Sequence, residues 1–191
     1  MSFRKVLIAA AGAVAMAVGS AQAATVLETL QADGRFTKFL QLVQGSSAWP
    51  ILQSRGPITV FAPTDEAFNY LPALVLNNIL PLDETRNASA AATGGGTSRD
   101  AVATFHVVRG DIRTQALVGR TVAITTVNGK ELKVDGTREG YLTLTTIQPG
   151  GVPIGGTTTN AGAVQPQSYI SQRDLVAENG TIQVINTVLL P

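Results

Sequence analysis

The residues of this sequence that could do chemistry are few, and its single histidine, His106, is the first of them. An imidazole can act as a general base or as a pH switch because its ordinary pKa lies near neutrality. His106 lies between Phe105 and Val107, where a helix is predicted to give way to a strand. This apolar setting favours a partly buried ring that is hydrogen-bonded to the backbone. Partner binding is the second hypothesis for His106, and catalysis is the third.

Asp65 and Glu66 form a carboxylate pair directly after Thr64. Such a pair could serve acid–base chemistry or bind a cation together with a hydroxyl group. Threonine is also a good helix N-cap, and negative charge in the first turn complements the helix dipole. Because capping accounts for all three residue types, the pattern predicts a helix that begins after Thr64.

Residues 150–157 (GGVPIGGT) have the glycine spacing of a phosphate-binding loop. Such a loop needs a lysine where Gly156 stands, and a helix immediately after it. Residues 158–164 are poor helix formers, so we predict no phosphate site here.

The composition excludes several classes of protein. The 191 residues include 14 Lys and Arg, 13 Asp and Glu, one His and no Cys. A balanced charge argues against binding to nucleic acid through a basic face. A sequence without cysteine has no disulfide and no thiolate ligand, and one histidine cannot supply the two that the usual zinc enzymes need. We therefore expect no metal and no cofactor.

Residues 1–23 have the three-part pattern of a secretory signal peptide. Arg4 and Lys5 precede the uncharged run Val6–Gly19, and small residues follow up to an expected cleavage site after Ala23. An uncleaved membrane anchor is the alternative, since the uncharged stretch is long enough to span a bilayer. Without Arg4 and Lys5, the remaining chain carries 12 basic and 13 acidic residues. We expect a secreted or periplasmic product whose mature chain, residues 24–191, is not inserted in the membrane.

The first half of this mature chain is predicted to be mostly helical. Apolar residues recur there at the i, i+3, i+4, i+7 spacing of a buried helix face. The predicted helices are Thr25–Gln31, the stripe of Phe36, Phe39, Leu40 and Val43 that ends at Gly45, a turn near Trp49, the segment after Thr64 continuing through 71–80, and Arg99–Phe105.

The second half is predicted to consist mainly of strands. Asn128-Gly129 and Asn179-Gly180 are typical of tight turns between strands. Regions near 87–98 and 148–164 are rich in Gly, Thr, Ala and Pro and are predicted loop insertions, and Asn87-Ala88-Ser89 fits a glycosylation sequon. The predicted strands are Ile58–Phe61, His106–Val108, Thr121–Val127, Glu131–Val134, Tyr141–Thr145, Tyr169–Ile170, Leu175–Ala177 and Thr181–Ile185. Helices first and strands later indicate a single α+β domain.

Three segments in order resemble the signature regions of the fasciclin domain family. Thr59–Phe68 (TVFAPTDEAF) resembles the first signature box, and Phe105–Gly110 is similar to the central Tyr-His segment. Asp174–Pro191 resembles the second box, so that the resemblance covers nearly all of residues 25–191. It implies two β-sheets in a wedge with helices packed along it, a role in adhesion or matrix association, and no catalysis.

The departures from the family pattern bear on the site. Gln183 and Asn186 stand where the family usually has His and Asp, and Phe105 replaces the central Tyr. In animal members the Tyr-His and Asp-Ile segments are linked to integrin binding. The corresponding candidates for partner binding here are Phe105, His106, Asp174 and Leu175, and the structural motif residues are Thr64, Asp65, His106, Asn179 and Gly180.

Three functions compete at this point. The first is an exported, non-enzymatic adhesion module whose partner is a cell-surface or matrix protein or a polysaccharide, with weak self-association to increase avidity. The second is a periplasmic binder of a small apolar or glycan ligand, which requires a pocket of roughly 300 Å³ or more. The third is an enzyme such as a hydrolase, which would need His106 as its base.

Overall fold

The structure, a computed structural model, describes residues 24–80, 98–138, 141–147, 153–154 and 168–191. Within these ranges the helices cluster in the first half and most strands follow, which confirms the α+β class. The helices are α1 (Val26–Asp33), α2 (Thr37–Val43), α3 (Ala48–Leu52), the 3-10 helix η1 (Asp65–Tyr70), α4 (Ala73–Ile79), α5 (Arg99–Phe105) and α6 (Thr114–Leu117). The strands are β1 (Ile58–Pro63), β2 (Val107–Arg109), β3 (Thr121–Thr125), β4 (Glu131–Asp135), β5 (Thr143–Ile147), β6 (Pro153–Ile154), β7 (Ser168–Ala177) and β8 (Gly180–Ile185).

Hydrogen bonds join the described strands in the order β2-β1-β8-β7-β5-β4-β3, with β6 beside β5. Strands β1 and β8 run parallel, and the other pairs are antiparallel. The long strand β7 links a first sheet, β2-β1-β8-β7, to a second sheet, β5-β4-β3. Its register against β8 shifts twice, between Ile170 and Gln172 and between Gln172 and Leu175. Such irregularities bend a strand and re-aim its side chains.

The two faces of the first sheet pack against different partners. Alternate residues of β1 and β8, including Ile58, Val60 and Ile182, join an apolar cluster with the helices. Phe61 and Ile185 point to the opposite face and join a second cluster with the inner side of β3, β4 and β5. Because both faces are covered, all six residues of β1 are buried.

Short helices need partners for their free backbone groups, and here those partners come from other elements. The Asp65 carboxylate accepts bonds from the Lys38 backbone N–H (2.7 Å) and the Thr37 hydroxyl (2.6 Å) in the first turn of α2. At the other end of α2, the Arg99 guanidinium donates to the backbone oxygens of Leu42 (3.0 Å), Gln41 and Gln44. Distant side chains therefore stabilise a seven-residue helix.

The structure corrects two predictions in the first half. Thr64 occupies the N-cap position with extended backbone angles, but its side chain makes no capping hydrogen bond, and Asp65 caps α2 instead. The helix after Thr64 is a 3-10 helix that stops before Pro72, because Leu71 is extended and proline cannot continue the ladder. Helix then restarts at Ala73.

Two corrections concern the second half. The separate strands predicted at Tyr169–Ile170 and Leu175–Ala177 are one continuous strand, β7, whose bulges interrupt the alternation that the sequence shows. Pro153 and Ile154, inside the predicted loop insertion 148–164, pair with Ile147 and Thr146 of β5. Several predictions concern segments outside the described residues: the signal peptide 1–23, the insertion 87–98 except Ser98 (with its sequon), the glycine run 150–157 except Pro153 and Ile154, and the rest of 148–164.

Candidate functional site

His106 ends α5 and is fully buried at 0% exposure. The backbone N–H of Leu189 donates to Nε2 (3.0 Å), so the ring proton lies on Nδ1 and is donated to the Val102 oxygen (2.7 Å). The ring also lies 5.7 Å from the Phe39 ring, centroid to centroid. Burial lowers the pKa of His106 to about 4, against the opposing effect of the Val102 bond. The imidazole is therefore neutral near pH 7, and both of its nitrogens are engaged.

The ring helps to hold residues 187–191, which belong to no helix or strand. The Thr146 hydroxyl of β5 donates to the Leu190 oxygen (3.1 Å), and the Ser168 hydroxyl of β7 donates to the Thr187 oxygen (3.3 Å). Val188 and Leu189 are buried in the two apolar clusters. We call this segment, Thr187–Pro191, the C-terminal segment.

Asp174 lies in the irregular part of β7 with φ of 51°, the left-handed region that non-glycine residues seldom adopt. Its Oδ1 atom accepts bonds from the Gln183 amide (2.6 Å) and from the backbone N–H of Thr114 at the start of α6 (2.9 Å). Leu175, the next residue, is half-buried against the apolar cluster that β1 and β8 form with the helices. The candidate pair Asp174 and Leu175 is thus partly committed to internal contacts, while Val176 beside it is 62% exposed.

Residues 110–113, which we call the arginine segment (Gly110–Arg113), are held by polar side chains of β1 and β8. These side chains lie on the side of the sheet that α6 covers. The buried Thr59 hydroxyl donates to the Gly110 oxygen (2.7 Å) and accepts from the Ile112 N–H (2.8 Å). The Thr181 hydroxyl donates to the Asp111 carboxylate, and the Gln183 amide donates to the Ile112 oxygen (3.2 Å). The hydrogen bond from Thr181 is the main cause that lowers the pKa of Asp111, and Arg113 adds to it.

Asn179 and Gly180 join the beginning of the fold to its end. The Asn179 carboxamide accepts from the Val26 N–H (2.8 Å) and donates to the oxygens of Leu52 (3.0 Å) and Ser54 (2.7 Å). A Cβ atom on Gly180 would lie 2.0 Å from the Ile58 backbone oxygen. Only glycine allows β1 to approach β8 this closely.

The structure brings the predicted site residues into two separate sets of contacts. Phe105 and His106 lie in the interior, and Asp174 contacts α6 and β8. Within the residues that the structure describes, no group of three or more His, Cys, Asp and Glu side chains is placed to hold a metal ion. In the structure, Phe105, His106 and Asp174 make packing contacts and hydrogen bonds within the domain.

The sequence analysis did not predict that Thr59, Thr181 and Gln183 hold the arginine segment by hydrogen bonds. Each is a polar residue in a strand whose other residues are mostly apolar. Because a buried polar group needs a hydrogen-bond partner, this pattern could have indicated their role. Gln183 and Asn186 occupy the family's His and Asp positions, and both are structural here: Asn186 accepts a bond from the Tyr169 N–H (2.8 Å). Arg99 and Asp100 gave no such signal, because their partners are backbone groups far along the chain.

The mixed sheet, the helices along one face and the segments held by side chains define an α+β domain with a fasciclin-like fold. The family model of the fasciclin domain matches residues 34–191. The chain belongs to the fasciclin domain family. Fasciclin domains are found in cell-adhesion proteins and are generally adhesion modules rather than enzymes.

Relatives span a wide range of lengths. The chain is 30% identical to the uncharacterized protein sll1735 of Synechocystis sp. over 165 residues, covering 86% of this chain and 96% of that protein. It is 28% identical over 168 residues to transforming growth factor-beta-induced protein ig-h3 of Sus scrofa, covering 87% of this chain but only 19% of ig-h3. A solved FAS1 domain pair from the insect cell adhesion molecule Fasciclin I matches with a TM-score of 0.49 and 18% identity, covering 83% of this chain and 46% of that one.

Proposed function

We propose that this protein is an exported, non-enzymatic adhesion module that binds a protein or polysaccharide of a cell surface or matrix. The observation that carries the proposal is the fasciclin family match over residues 34–191, which spans nearly all of the described fold. The buried state of His106 supports the non-enzymatic part. A general base must reach the proton it removes, and this ring has no exposed surface.

Binding through Phe105 or His106 would require the fold to open, because both side chains are 0% exposed. We assign these two residues to the scaffold, together with Asp65, Asn179 and Gly180. Asp174 and Leu175 shape the surface next to α6. The groups that a partner can reach are the exposed ones nearby, which include Val176 and the side chains of the arginine segment.

Export through an N-terminal signal peptide, giving a secreted or periplasmic protein, is part of the same proposal. Fasciclin domains occur in secreted or extracellular proteins. No helix within the described ranges is long and apolar enough to cross a membrane. In the folded domain, the Glu178 N–H donates to the Ala24 oxygen (2.9 Å), so the chain is held from the residue that follows the expected cleavage site. N-terminal sequencing of the exported protein should give Ala24 as its first residue.

Retention of the purified protein on cells, on extracted polysaccharides and on matrix proteins tests the adhesion proposal. We expect retention on at least one of these surfaces, strengthened when the protein is clustered on beads, because weak single-site binding gains from multivalency. Sedimentation analysis of the same sample tests weak self-association. A protein that is retained on none of the surfaces, even when clustered, would refute the adhesion proposal.

A further inference from the structure

We propose that Asn128 is a site of spontaneous deamidation in the folded protein, whereas Asn179, which has the same dipeptide, is protected by the fold. The sequence contains two Asn-Gly pairs, Asn128-Gly129 and Asn179-Gly180. Glycine after asparagine favours this reaction, because glycine has no Cβ atom to hinder attack by its backbone nitrogen. The inference concerns a covalent modification and is independent of the adhesion proposal.

The reaction is an intramolecular substitution that needs only water. The backbone nitrogen of Gly129 attacks Cγ of Asn128, so that an N–Cγ bond forms and closes a succinimide ring. The Cγ–Nδ2 bond breaks, and Nδ2 leaves as ammonia together with the proton that the Gly129 nitrogen gives up. Water then opens the ring at either of its two carbonyl carbons, which yields aspartate or isoaspartate.

The turn between β3 and β4 places the Asn128 carboxamide well for this attack. The Lys130 N–H donates to Oδ1 (2.9 Å), which brings the side chain back toward the Gly129 peptide group. A donor at this oxygen stabilises the negative charge that develops there as the nitrogen adds to Cγ. Gly129 is exposed, and its N–H is bonded to the Thr126 oxygen (2.9 Å). One backbone hydrogen bond of a surface turn must therefore open, which local fluctuation supplies readily.

Asn179 lies in the opposite setting. It is 5% exposed, its Oδ1 accepts from the Val26 N–H (2.8 Å), and its Nδ2 donates to the oxygens of Leu52 (3.0 Å) and Ser54 (2.7 Å). The leaving nitrogen is thus held by two acceptors, and a carboxylate formed here would face two carbonyl oxygens. Gly180 begins β8 and lies against the backbone of β1. Ring closure at Asn179 would have to disrupt the junction of α1, β1 and β8.

Deamidation of Asn128 would change how the turn is attached to α5. In the intact protein, Nδ2 donates to the Ala101 oxygen of α5 (3.2 Å). The carboxylate product has no proton to donate and places negative charge near that oxygen. Isoaspartate also lengthens the backbone of the turn, whose Val127 N–H donates to the Val107 oxygen of β2 (2.8 Å). The modified protein should therefore be less stable than the intact one.

Peptide mapping of the purified protein after prolonged incubation in mildly alkaline buffer tests the proposal. Trypsin separates the two sites, since cleavage after Arg120 and Lys130 releases residues 121–130, and cleavage after Arg173 releases residues 174–191. In the folded protein, we expect the amide of Asn128 to be converted to the acid at least about tenfold faster than that of Asn179. In urea-denatured protein the two rates should differ by less than about threefold, because local sequence then decides them.

Asn128→Gln is the matched variant, because a glutamine must close a larger ring and reacts far more slowly. Residues 121–130 of this variant should stay unmodified, while Asn179 reacts at the wild-type rate. After incubation, the midpoint of thermal unfolding should fall in the wild type but not in Asn128→Gln. If the variant does not fold, the comparison of the two sites in the wild type still decides the question.

Equal rates at the two sites in the folded protein would overturn the proposal. So would an Asn128 that stays intact in the folded protein while the denatured chain is converted. A rate difference of the same size in urea would also overturn it, because the neighbouring sequence rather than the fold would then protect Asn179.

Discussion

The C-terminal segment and the arginine segment are both held in place by side chains of other elements, one in the interior and one at the surface. Neither belongs to a helix or a strand, and side chains of distant elements hold both. The C-terminal segment is held in the interior by the neutral His106 ring, with Val188 and Leu189 buried beside it. The arginine segment is held at the surface by Thr59, Thr181 and Gln183, and its own charged side chains remain exposed.

This difference separates an interior attachment that maintains the fold from a surface attachment whose charged side chains reach solvent. Burying an imidazole removes it from chemistry and makes its hydrogen bonds costly to lose. Thr59 and Gln183 hold the loop through its backbone groups, and Thr181 bonds the Asp111 carboxylate, while the Asp111 and Arg113 side chains still reach solvent. The lone histidine therefore contributes to stability, and the arginine segment carries the charged groups that solvent can reach.

Replacement of His106 by alanine should have the largest effect on stability. It removes the ring that packs on Phe39 and leaves the Leu189 N–H and the Val102 oxygen without partners in the interior. We expect a loss of roughly 3–5 kcal/mol in the free energy of unfolding. Urea denaturation at pH 7 measures it. A loss below about 1 kcal/mol would show that water replaces the ring at little cost.

Acidification should weaken the interior attachment before the surface one. His106 has a folded-state pKa of about 4 against the ordinary 6.5, so the unfolded chain binds a proton first. Stability should fall as the pH drops from about 6.5 to 4, by roughly 3 kcal/mol in total. Urea denaturation across this range should show the slope in the wild type and a flatter curve in His106→Gln, whose amide is always neutral. Equal slopes in the two proteins would assign the loss to other groups.

Asp111 should contribute in a lower pH range. Its pKa is depressed in the folded state, so its contribution is present above the usual aspartate pKa of about 3.9 and is lost as the pH falls below it. The two segments should therefore respond to acid in sequence: first the C-terminal segment, then the arginine segment.

Sequence patterns were sufficient for most of the elements because local spacing decides them. In the predicted stripe, Phe36, Phe39 and Val43 are buried and Leu40 is only partly buried. Gly34 ends α1 in the left-handed conformation. The turn at Asn128-Gly129 also lies between β3 and β4 as expected. The α+β class and the family membership followed from these patterns together with the signature segments.

Long-range partners could not be predicted in the same way. The sequence around Asp65 is equally compatible with capping its own helix or another one, and only the tertiary arrangement brings its carboxylate to the first turn of α2. The bulges of β7 likewise depend on the pairing with β8, which no local spacing specifies. For the candidate site, the sequence indicated that His106 lies between a helix and a strand with its ring partly buried. Its complete burial and its hydrogen bond from Leu189 could not be predicted.

Thr59→Val tests whether one hydroxyl holds the arginine segment. Valine has nearly the same shape but cannot donate to the Gly110 oxygen or accept from the Ile112 N–H. We expect a loss of about 2 kcal/mol in the free energy of unfolding and faster amide exchange at Ile112. Thr125→Val is the matched control, since Thr125 is exposed on β3 and the change should be nearly neutral. Unchanged exchange at Ile112 in Thr59→Val would mean that Thr181 and Gln183 suffice to hold the segment.

Arg113→Gln should have the smallest effect on stability, and it tests whether the surface arginine segment is held without a strong contribution from charge pairing. Arg113 is 57% exposed and its bond to Asp111 lies at the surface, where ion pairs contribute little, so we expect a loss of less than about 0.5 kcal/mol. The Asp111 pKa should rise slightly, because Arg113 is a secondary cause of its depression and Thr181 remains the main one. NMR titration of the Asp111 carboxylate, alongside urea denaturation, measures both effects. A stability loss above about 1 kcal/mol would show that the arginine segment depends on charge pairing in the way that a buried site does. The distinction between an interior attachment that maintains the fold and a surface attachment that presents charge would then be wrong.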